Sequence, residues 1–318
     1  NSNMKIQERP YRDKADLASM RQLLMVGRQA NILASYMHPG CLDWATHYPP
    51  DEQENRRNLR LWERVDAHQP RLEAWAIFLP KEGSFDLFVH PTLYGLPLHE
   101  TVMDEYMVWA EGRACEAGLK TIWPFWAMDY DKVLDRLMRA QGFVVTQADP
   151  APPLFEVRLD ELPVIKLAEG FTVQGVENID GGRLRAGVTY RAFEHNENWD
   201  DYLADYSQFM GSSVYDGQRD LLVRSSDGRG ASACTIWFDL VNGVGLFEPV
   251  ATHPDFQGKG LGKAVVAEGM RRMRAAGMSR AVVGFDPNNG AALALYRSLG
   301  FRASCYFAIA QKEIISSE

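Results

Sequence analysis

Several features that would assign a class of protein are scarce in this sequence of 318 residues. Its four cysteines, Cys41, Cys115, Cys234 and Cys305, are scattered and form no C-x-x-C pair, which indicates reduced thiols. Its 34 basic residues are outnumbered by 42 acidic ones, whereas nucleic acid and anionic membranes bind to basic faces. No apolar run approaches the roughly 20 residues of a membrane span. We therefore expect a cytoplasmic protein without a metal, and with neither nucleic acid nor a membrane as its partner.

An internal repeat is the first feature that is present. Three landmarks occur twice in the same order, at offsets of 163, 159 and 158: His90-Pro91 and His253-Pro254, Ala117-Gly118 and Ala276-Gly277, and Gly142-Phe143 and Gly300-Phe301. In each copy a strand leads through a loop to a helix, a second strand, a second helix and a terminal hairpin. The repeat predicts two α/β (α+β) domains, each a mixed sheet flanked by helices.

The repeat also decides how the proline cluster at 150–153 is interpreted. This cluster falls where the second copy has its terminal hairpin, so we interpret 144–147 and 154–159 as two strands joined by a proline-rich turn. The predicted domains are then 1–159 and 171–318, with 160–170 as the linker between them.

A glycine-rich run joins a strand to an amphipathic helix in the second half. Glycines let backbone N–H groups approach an anion, and a helix N-terminus adds unpaired donors and a favourable dipole. A Walker A loop would need glycine at 257 and serine or threonine at 264, where this sequence has glutamine and alanine. A dinucleotide fingerprint would need glycine at 263, which is lysine. The spacing that fits is Q/R-x-x-G-x-G/A, met by Gln257, Gly260 and Gly262.

This run resembles the acetyl-CoA pyrophosphate loop of the GNAT superfamily of N-acetyltransferases. A second signature of that family, N-x-x-A-x-x-L-Y-x-x-x-G-F, is matched from Asn289 through Tyr296 to Phe301. The resemblance implies two tandem GNAT folds and an acetyl-CoA site in the C-terminal half. Pro249 lies inside the preceding strand, and a proline there is consistent with the splayed strand pair for which the family is known, with an ordinary edge strand as the alternative.

The resemblance also implies which residues bind acetyl-CoA. The strand before the loop would contact the pantetheine arm and the thioester, and the backbone amides of the loop would bind the pyrophosphate. The residues concerned are Val250, Ala251, Thr252, Gln257, Gly258, Lys259, Gly260, Leu261, Gly262 and Lys263. Asn289 matches a position that contacts the CoA arm, although capping of the following helix is an equal alternative. Tyr296 matches the tyrosine that protonates the leaving thiolate, with packing under the helix as the alternative.

The general base and the acceptor pocket have weaker signals. Glu248 precedes Pro249 on the strand that would line the cleft, where it is a candidate base or an ordinary polar residue. Glu194, His195, Glu197 and Trp199 belong to a polar turn in the segment where GNAT proteins build their acceptor pocket. Acidic groups beside an aromatic ring suit a cation, and a solvated loop is the alternative. Trp44, His47 and Tyr48 in the first half are further candidates, for a pocket at the junction of the two domains.

The first half lacks the features of the loop. Around Gly95 it has Pro97, which cannot donate an N–H, and it has neither lysine of the second copy. Asp131 and Met138 stand where the second copy has Asn289 and Tyr296. We therefore expect a degenerate N-terminal domain, as in tandem members of the family with one competent half, and one acetyl-CoA site per chain.

The sequence thus predicts an acetyl-CoA-dependent N-acetyltransferase that acts by direct transfer on a small-molecule primary amine. A peptide or protein amine is the alternative acceptor. A tandem GNAT that senses acyl-CoA without turnover is the alternative from another class. The sequence does not specify the acceptor, the acyl-chain preference or the oligomeric state.

Overall fold

The structure is a computed structural model that describes residues 4–30, 36–66 and 68–315. It divides into two compact units that are not consecutive in sequence. Unit 1 consists of Asn1–Met37, Glu52–Pro153 and Cys305–Glu318, and unit 2 of His38–Asp51 and Leu154–Ser304. The predicted boundaries at 159 and 171 therefore do not coincide with the compact units.

Helices and strands are interspersed along the whole described chain. In chain order they are β1 (Ile6–Pro10), α1 (Lys14–Ala30), α2 (Pro39–His47), α3 (Glu52–Asn58), β2 (Leu59–Arg64), β3 (Arg71–Leu79), β4 (Ser84–Val89), α4 (Pro97–Glu116), β5 (Thr121–Pro124), α5 (Lys132–Ala140), β6 (Val144–Thr146), β7 (Pro153–Arg158), β8 (Phe171–Gly175), α6 (Ile179–Ala192), α7 (Trp199–Met210), β9 (Asp220–Ser225), β10 (Gly230–Asp239), β11 (Val244–Thr252), α8 (Leu261–Ala275), β12 (Arg280–Gly284), α9 (Gly290–Ser298), β13 (Arg302–Tyr306) and β14 (Ile309–Glu313).

The described strands form two seven-stranded mixed sheets with the same plan. The order is β1-β2-β3-β4-β5-β14-β6 in the first sheet and β8-β9-β10-β11-β12-β7-β13 in the second. In each sheet the fourth and fifth strands are parallel neighbours, while the other described pairings are antiparallel. The predicted repeat and the predicted mixed sheets are therefore confirmed.

The sixth strand of each sheet comes from a distant part of the chain. The predicted hairpin of 144–147 with 154–159 is therefore wrong, because the two strands belong to different sheets. β7 instead pairs antiparallel with β12 through five residues, from Leu154 opposite Gly284 to Arg158 opposite Arg280. Phe155 is buried in the core of unit 2, with its ring centroid 4.9 Å from that of Phe285. These contacts with β12 favour the exchanged pairing. Correspondingly, β14 completes the sheet of unit 1 between β5 and β6.

The repeated landmarks are all places where the backbone turns. His90 and His253 each cap a short 3-10 turn through the ring Nδ1, which accepts from the backbone N–H of Thr92 and Asp255. The glycines of the other landmarks follow helix ends and have positive φ, as C-terminal turns of helices require: Gly118 at 67°, Gly277 at 92°, Gly142 at 85° and Gly300 at 91°. The repeat was visible in the sequence because these turns restrict the residue type.

Candidate active site

A cleft opens in unit 2 where two parallel strands separate. β11 continues to Thr252, but its parallel pairing with β12 covers only Val244–Leu246. On its other side, the register with β10 shifts, so that Cys234 lies opposite Val250 and Ile236 opposite Phe247. Glu248 and Pro249 occupy this irregularity, as expected for a proline, which cannot donate a ladder hydrogen bond. The predicted separation of the strands at this proline is confirmed.

The cleft has a volume of about 630 Å³ and is lined by the end of β11, the start of α8 and one face of α9. Its lining includes most of the residues predicted to bind acetyl-CoA: Val250, Ala251, Thr252, Gln257, Gly258, Gly260, Leu261, Gly262, Lys263 and Asn289. Tyr296, the predicted proton donor, also lines the cleft. Lys259 is absent from this lining. Sequence reasoning missed Ala192 and Phe193 at the end of α6, and Phe256, which also line the cleft.

The glycine-rich loop presents unobstructed backbone at the mouth of the cleft. Gly258 and Gly260 have φ values of 76° and 74°, in the left-handed region that glycine adopts without strain. A Cβ atom at either position would meet no atom within 4 Å. Gly260 begins α8 without a side-chain cap, so no capping side chain occupies the first N–H groups of the helix. Such a helix start is a ready anion site, and the residues fit a pyrophosphate.

Replacing Gly260 with alanine should raise KM for acetyl-CoA by about tenfold, because a left-handed alanine is strained by roughly 1–2 kcal/mol and the loop would relax away from its anion-binding shape. Gly277→Ala is the matched control: Gly277 also has positive φ, and a Cβ there would likewise meet no atom within 4 Å, but it follows the distant end of α8. Steady-state kinetics and thermal unfolding of both variants check this. Equal KM changes in the two variants would contradict a role for the loop.

Asn289 and Tyr296 lie on the wall formed by α9. Asn289 caps this helix, since its Oδ1 accepts from the backbone N–H of Ala292 at 3.0 Å, and it also lines the cleft. Tyr296 is 4% exposed, and burial raises the pKa of its phenol well above the ordinary value of 10. A phenol with a raised pKa keeps its proton at neutral pH and can act as a proton donor.

Glu248 is exposed on β11 and has a neighbour that the sequence did not predict. The thiol of Cys41 donates to Glu248 Oε2 at 3.6 Å, and Cys41 belongs to α2, which is part of unit 2 although it precedes most of unit 1 in sequence. Gly40 packs against the Trp237 ring so closely that a Cβ would lie 2.4 Å from a Trp237 atom. His38 Nε2 is 2.9 Å from the carbonyl oxygen of Val244. α2 therefore covers β11 next to Glu248.

The other aromatic candidates of the first half also belong to unit 2. The Trp44 and Tyr48 rings stack at 4.0 Å, and both contact Phe209 of α7 edge-on. His47 is buried, with its Nδ1 3.0 Å from the carbonyl oxygen of Asp43. These residues attach the segment to unit 2, and their proposed place in an acceptor pocket stays a prediction.

The polar turn that follows α6 lies beside the cleft rather than in its described lining. His195 Nδ1 is 3.0 Å from Glu197 Oε1, and the His195 ring stacks on Tyr190. Glu194 is exposed with a φ of 53°. Trp199 lines a second groove on the outer side of α6. The proposed acceptor role of this turn remains a prediction.

The corresponding loop of unit 1 is occupied by its own side chains. The backbone N–H of Gly95 donates to His99 Nδ1 at 3.1 Å, and Pro97 at the start of α4 has no N–H to offer. Burial lowers the pKa of His99 to about 4, so its ring is neutral at pH 7. Asp131 caps α5 as Asn289 caps α9, and Met138 is buried at the position of Tyr296.

Membrane spans and metal clusters are both absent from the part of the chain that the structure describes. None of the described helices is both long and apolar enough to cross a membrane. No group of three or more histidine, cysteine, aspartate or glutamate residues in the described ranges is arranged to hold a metal ion.

The separated strands and the uncapped glycine-rich helix start are the two features of unit 2 that the resemblance to the GNAT superfamily predicted. Residues 187–301 match the Acetyltransferase (GNAT) family. This part of unit 2 is therefore similar to GNAT acetyltransferases, and the two sheets together have the tandem-GNAT fold.

Solved structures show the same tandem fold across the chain. A tandem GNAT protein from the clavulanic acid biosynthesis pathway is similar with a TM-score of 0.68 and 14% identity, covering 99% of this chain and 100% of that one. A GCN5-related N-acetyltransferase from Sphaerobacter thermophilus has a TM-score of 0.64 and 18% identity, covering 98% of this chain and 97% of that one. At these identities the likeness concerns the fold.

Curated relatives are more similar in sequence over shorter stretches. Mycothiol acetyltransferase from Kocuria rhizophila is 32% identical over 144 residues, which cover 43% of this chain and 48% of that protein. Mycothiol acetyltransferase from Saccharomonospora viridis is 26% identical over 240 residues, covering 68% of this chain and 70% of that protein. The match therefore spans about half the length of the first relative and more of the second.

Proposed function

We propose that this protein transfers an acetyl group directly from acetyl-CoA to a small-molecule primary amine, with one acetyl-CoA site, in unit 2. The observation that carries the proposal is the convergence of three elements on one cleft: the free end of β11, the uncapped start of α8 and the buried Tyr296 of α9. The relatives named mycothiol acetyltransferase support a small-molecule acceptor.

Acetyl-CoA supplies an acetyl group activated as a thioester, and the residues of the cleft suit its parts. The N–H groups at Gly258–Lys263 would bind the pyrophosphate, and the end of β11 at Val250–Thr252 would hold the pantetheine arm. Glu248 would take a proton from the incoming ammonium group, because a free amine is required for attack on the carbonyl carbon. Tyr296 would give its proton to the departing sulfur.

The acceptor would enter on the side of Glu248, where α2 covers the strand. Cys41 is the α2 side chain nearest the carboxylate in the described contacts, so α2 is positioned to determine which amines reach Glu248. In this arrangement the acceptor side is built in part by a segment from the first fifty residues.

A single site per chain is supported by the contrast between the two loops. In unit 2 the start of α8 has no side-chain cap, while in unit 1 His99 takes the Gly95 N–H and a proline begins the helix. A buried methionine replaces the phenol. Unit 1 has no group equivalent to Tyr296 at this position to protonate a leaving thiolate.

The proposal is tested by a thiol-release assay with acetyl-CoA and a panel of primary amines, together with calorimetry of CoA binding. We expect turnover with at least one small amine and one CoA site per chain. Turnover confined to peptide N-termini would replace the small amine with a peptide acceptor. Tight CoA binding without turnover on any amine would favour a sensor, and two CoA sites per chain would refute the degenerate unit 1.

A further inference from the structure

A second groove of about 540 Å³ lies on the outer side of α6 in unit 2 and carries concentrated positive charge. Its lining residues are Arg183, Leu184, Gly187, Val188, Tyr190, Arg191, Trp199, Arg229, Gly230 and His253. Three of them are arginines and none is acidic, in a chain whose formal charge is −8. A cleft lined by one sign of charge concentrates ligands of the opposite sign.

Two of these arginines are available to a ligand. Arg183 and Arg191 are exposed on α6, and neither has an ion pair with the described residues. They are two helical turns apart with Gly187 between them, so the helix presents both on about the same face. A Cβ at Gly187 would meet only Trp199, at 3.8 Å, so the absence of a side chain there leaves the space between the arginines open.

The third arginine connects the groove with the glycine-rich loop. Arg229 pairs with Asp255, the acidic residue beside the groove, and its Cζ lies 4.7 Å from the Phe256 ring centroid. Lys259 Nζ lies 5.7 Å from the same centroid. Phe256 lines the active-site cleft and His253 lines the groove. The Phe256 ring therefore lies near both Arg229 of the groove and Lys259 of the loop.

Arg191 is coupled electrostatically to the same segment. The pKa of Asp255 is lowered mainly by the hydrogen bond from Arg229, against the effect of desolvation, and the charge of Arg191 makes a smaller contribution in the same direction. The charge of Arg191 also contributes to the lowered pKa of His253, which is due mainly to burial. The next two residues, Ala192 and Phe193, line the active-site cleft. The groove thus adjoins the cleft along the last turn of α6.

We propose that this groove binds a phosphomonoester group through Arg183 and Arg191, an inference that rests on the proposed acetyl-CoA site. Guanidinium groups form paired, charge-assisted hydrogen bonds with phosphate oxygens. One source is the ribose 3′-phosphate of CoA, which is attached to the same nucleotide as the diphosphate and so must bind beside the loop. The other source is a phosphate group on the acceptor amine.

Calorimetry distinguishes the two sources with two matched ligand pairs. CoA is compared with 3′-dephospho-CoA, and O-phosphoethanolamine with ethanolamine, on wild type, Arg191→Gln and Arg183→Gln. For a groove that holds the 3′-phosphate, each variant should bind CoA about tenfold more weakly, the loss of roughly one charge-assisted hydrogen bond, and 3′-dephospho-CoA unchanged. For a phosphorylated acceptor, the loss should fall on O-phosphoethanolamine alone.

Two more variants distinguish binding in the groove from a general effect of positive charge on the protein surface. Arg274→Gln removes an exposed charge near the distant end of α8 and should leave both preferences intact. Gly187→Leu keeps every charge, is compatible with a helix, and fills the groove, so it should weaken binding of the phosphorylated ligand.

Equal affinities within both ligand pairs in the wild type would overturn the proposal, as would equal losses in Arg191→Gln and Arg274→Gln. Failure of CoA and 3′-dephospho-CoA to bind at all would refute the proposed function instead. The comparison of O-phosphoethanolamine with ethanolamine would then test the groove by itself. Tighter binding of O-phosphoethanolamine would support a phosphate site in the groove, and equal affinities would refute it.

Discussion

Replacing Tyr296 with phenylalanine should lower kcat by about 100-fold and leave KM for acetyl-CoA within about twofold. General acid catalysis contributes factors of this size, and Tyr296 is the residue proposed above to protonate the departing sulfur. The ring itself would stay in place, because its packing at 5.2 Å from Phe285 and 5.5 Å from Phe301 does not involve the hydroxyl. Rapid thiol-release kinetics at saturating acetyl-CoA measure the effect.

The pH dependence of kcat is a consistency check on the same phenol, and the kcat of Tyr296→Phe distinguishes catalysis from packing. Because burial raises the pKa of Tyr296 above its ordinary value of 10, the phenol keeps its proton throughout the usual assay range. The wild-type kcat should therefore show no fall below about pH 10 from loss of this proton. An unchanged kcat in Tyr296→Phe would assign the residue to packing under α9.

Glu248→Gln serves as the counterpart in the same assay. Loss of a base should lower kcat/KM for the amine by about tenfold or more at pH 7, with partial recovery at higher pH, where more of the amine is already deprotonated. Glu169→Gln, in the exposed segment before β8, is the matched control. If kcat/KM of Glu248→Gln depends on pH in the same way as that of Glu169→Gln, Glu248 is not the base.

The C-terminal half expressed alone, as residues 160–318, should fail to fold cooperatively. This fragment lacks β7, whose five paired residues lie next to β12, and with it the buried side chains of Leu154, Phe155 and Leu159. Loss of one large core side chain costs about 2–5 kcal/mol, and domains are stable by only about 5–15 kcal/mol. Circular dichroism during thermal unfolding and size-exclusion chromatography would measure the result.

Two controls distinguish the effect of losing β7 from the effect of cutting the chain at residue 160. A fragment that begins at residue 153 restores β7 and should recover part of the cooperative transition, while still lacking α2. Co-expression of 1–159 with 160–318 supplies both segments, and the two fragments should purify together. A soluble 160–318 fragment that unfolds like the full chain would show that neither segment is needed.

Part of this structure could be predicted from the sequence because it depends on interactions between residues that are close together in the chain. The start of α8, the cap at Asn289 and the turns at Gly118 and Gly277 each depend on residues a few positions apart. Glycine is required where φ is positive, and a side-chain oxygen is required to cap a helix. These constraints were sufficient for the repeat, the mixed sheets and the location of the cleft.

Long-range pairing was not readable in the same way. A strand with an alternating pattern can pair with more than one strand of a sheet. The sequence of β7 therefore does not specify β12 as its partner. Cys41 and Glu248 are 207 positions apart, and no local motif joins them. Similarly, the acidic turn after α6 suggested a site for a cation, but Arg229, which is distant in sequence, joins Arg183 and Arg191 of α6 to make the adjacent groove basic.

The exchange of strands gives a reason why the first copy would persist in the gene even if it binds no acetyl-CoA. The chain passes from one unit to the other at residues 37, 51, 153 and 304, so the first half encodes both α2 and a strand of the second sheet. A deletion of the first copy would also remove those parts of unit 2. Selection for acetyl transfer would therefore maintain the first copy as a structural component, whether or not it binds any ligand of its own.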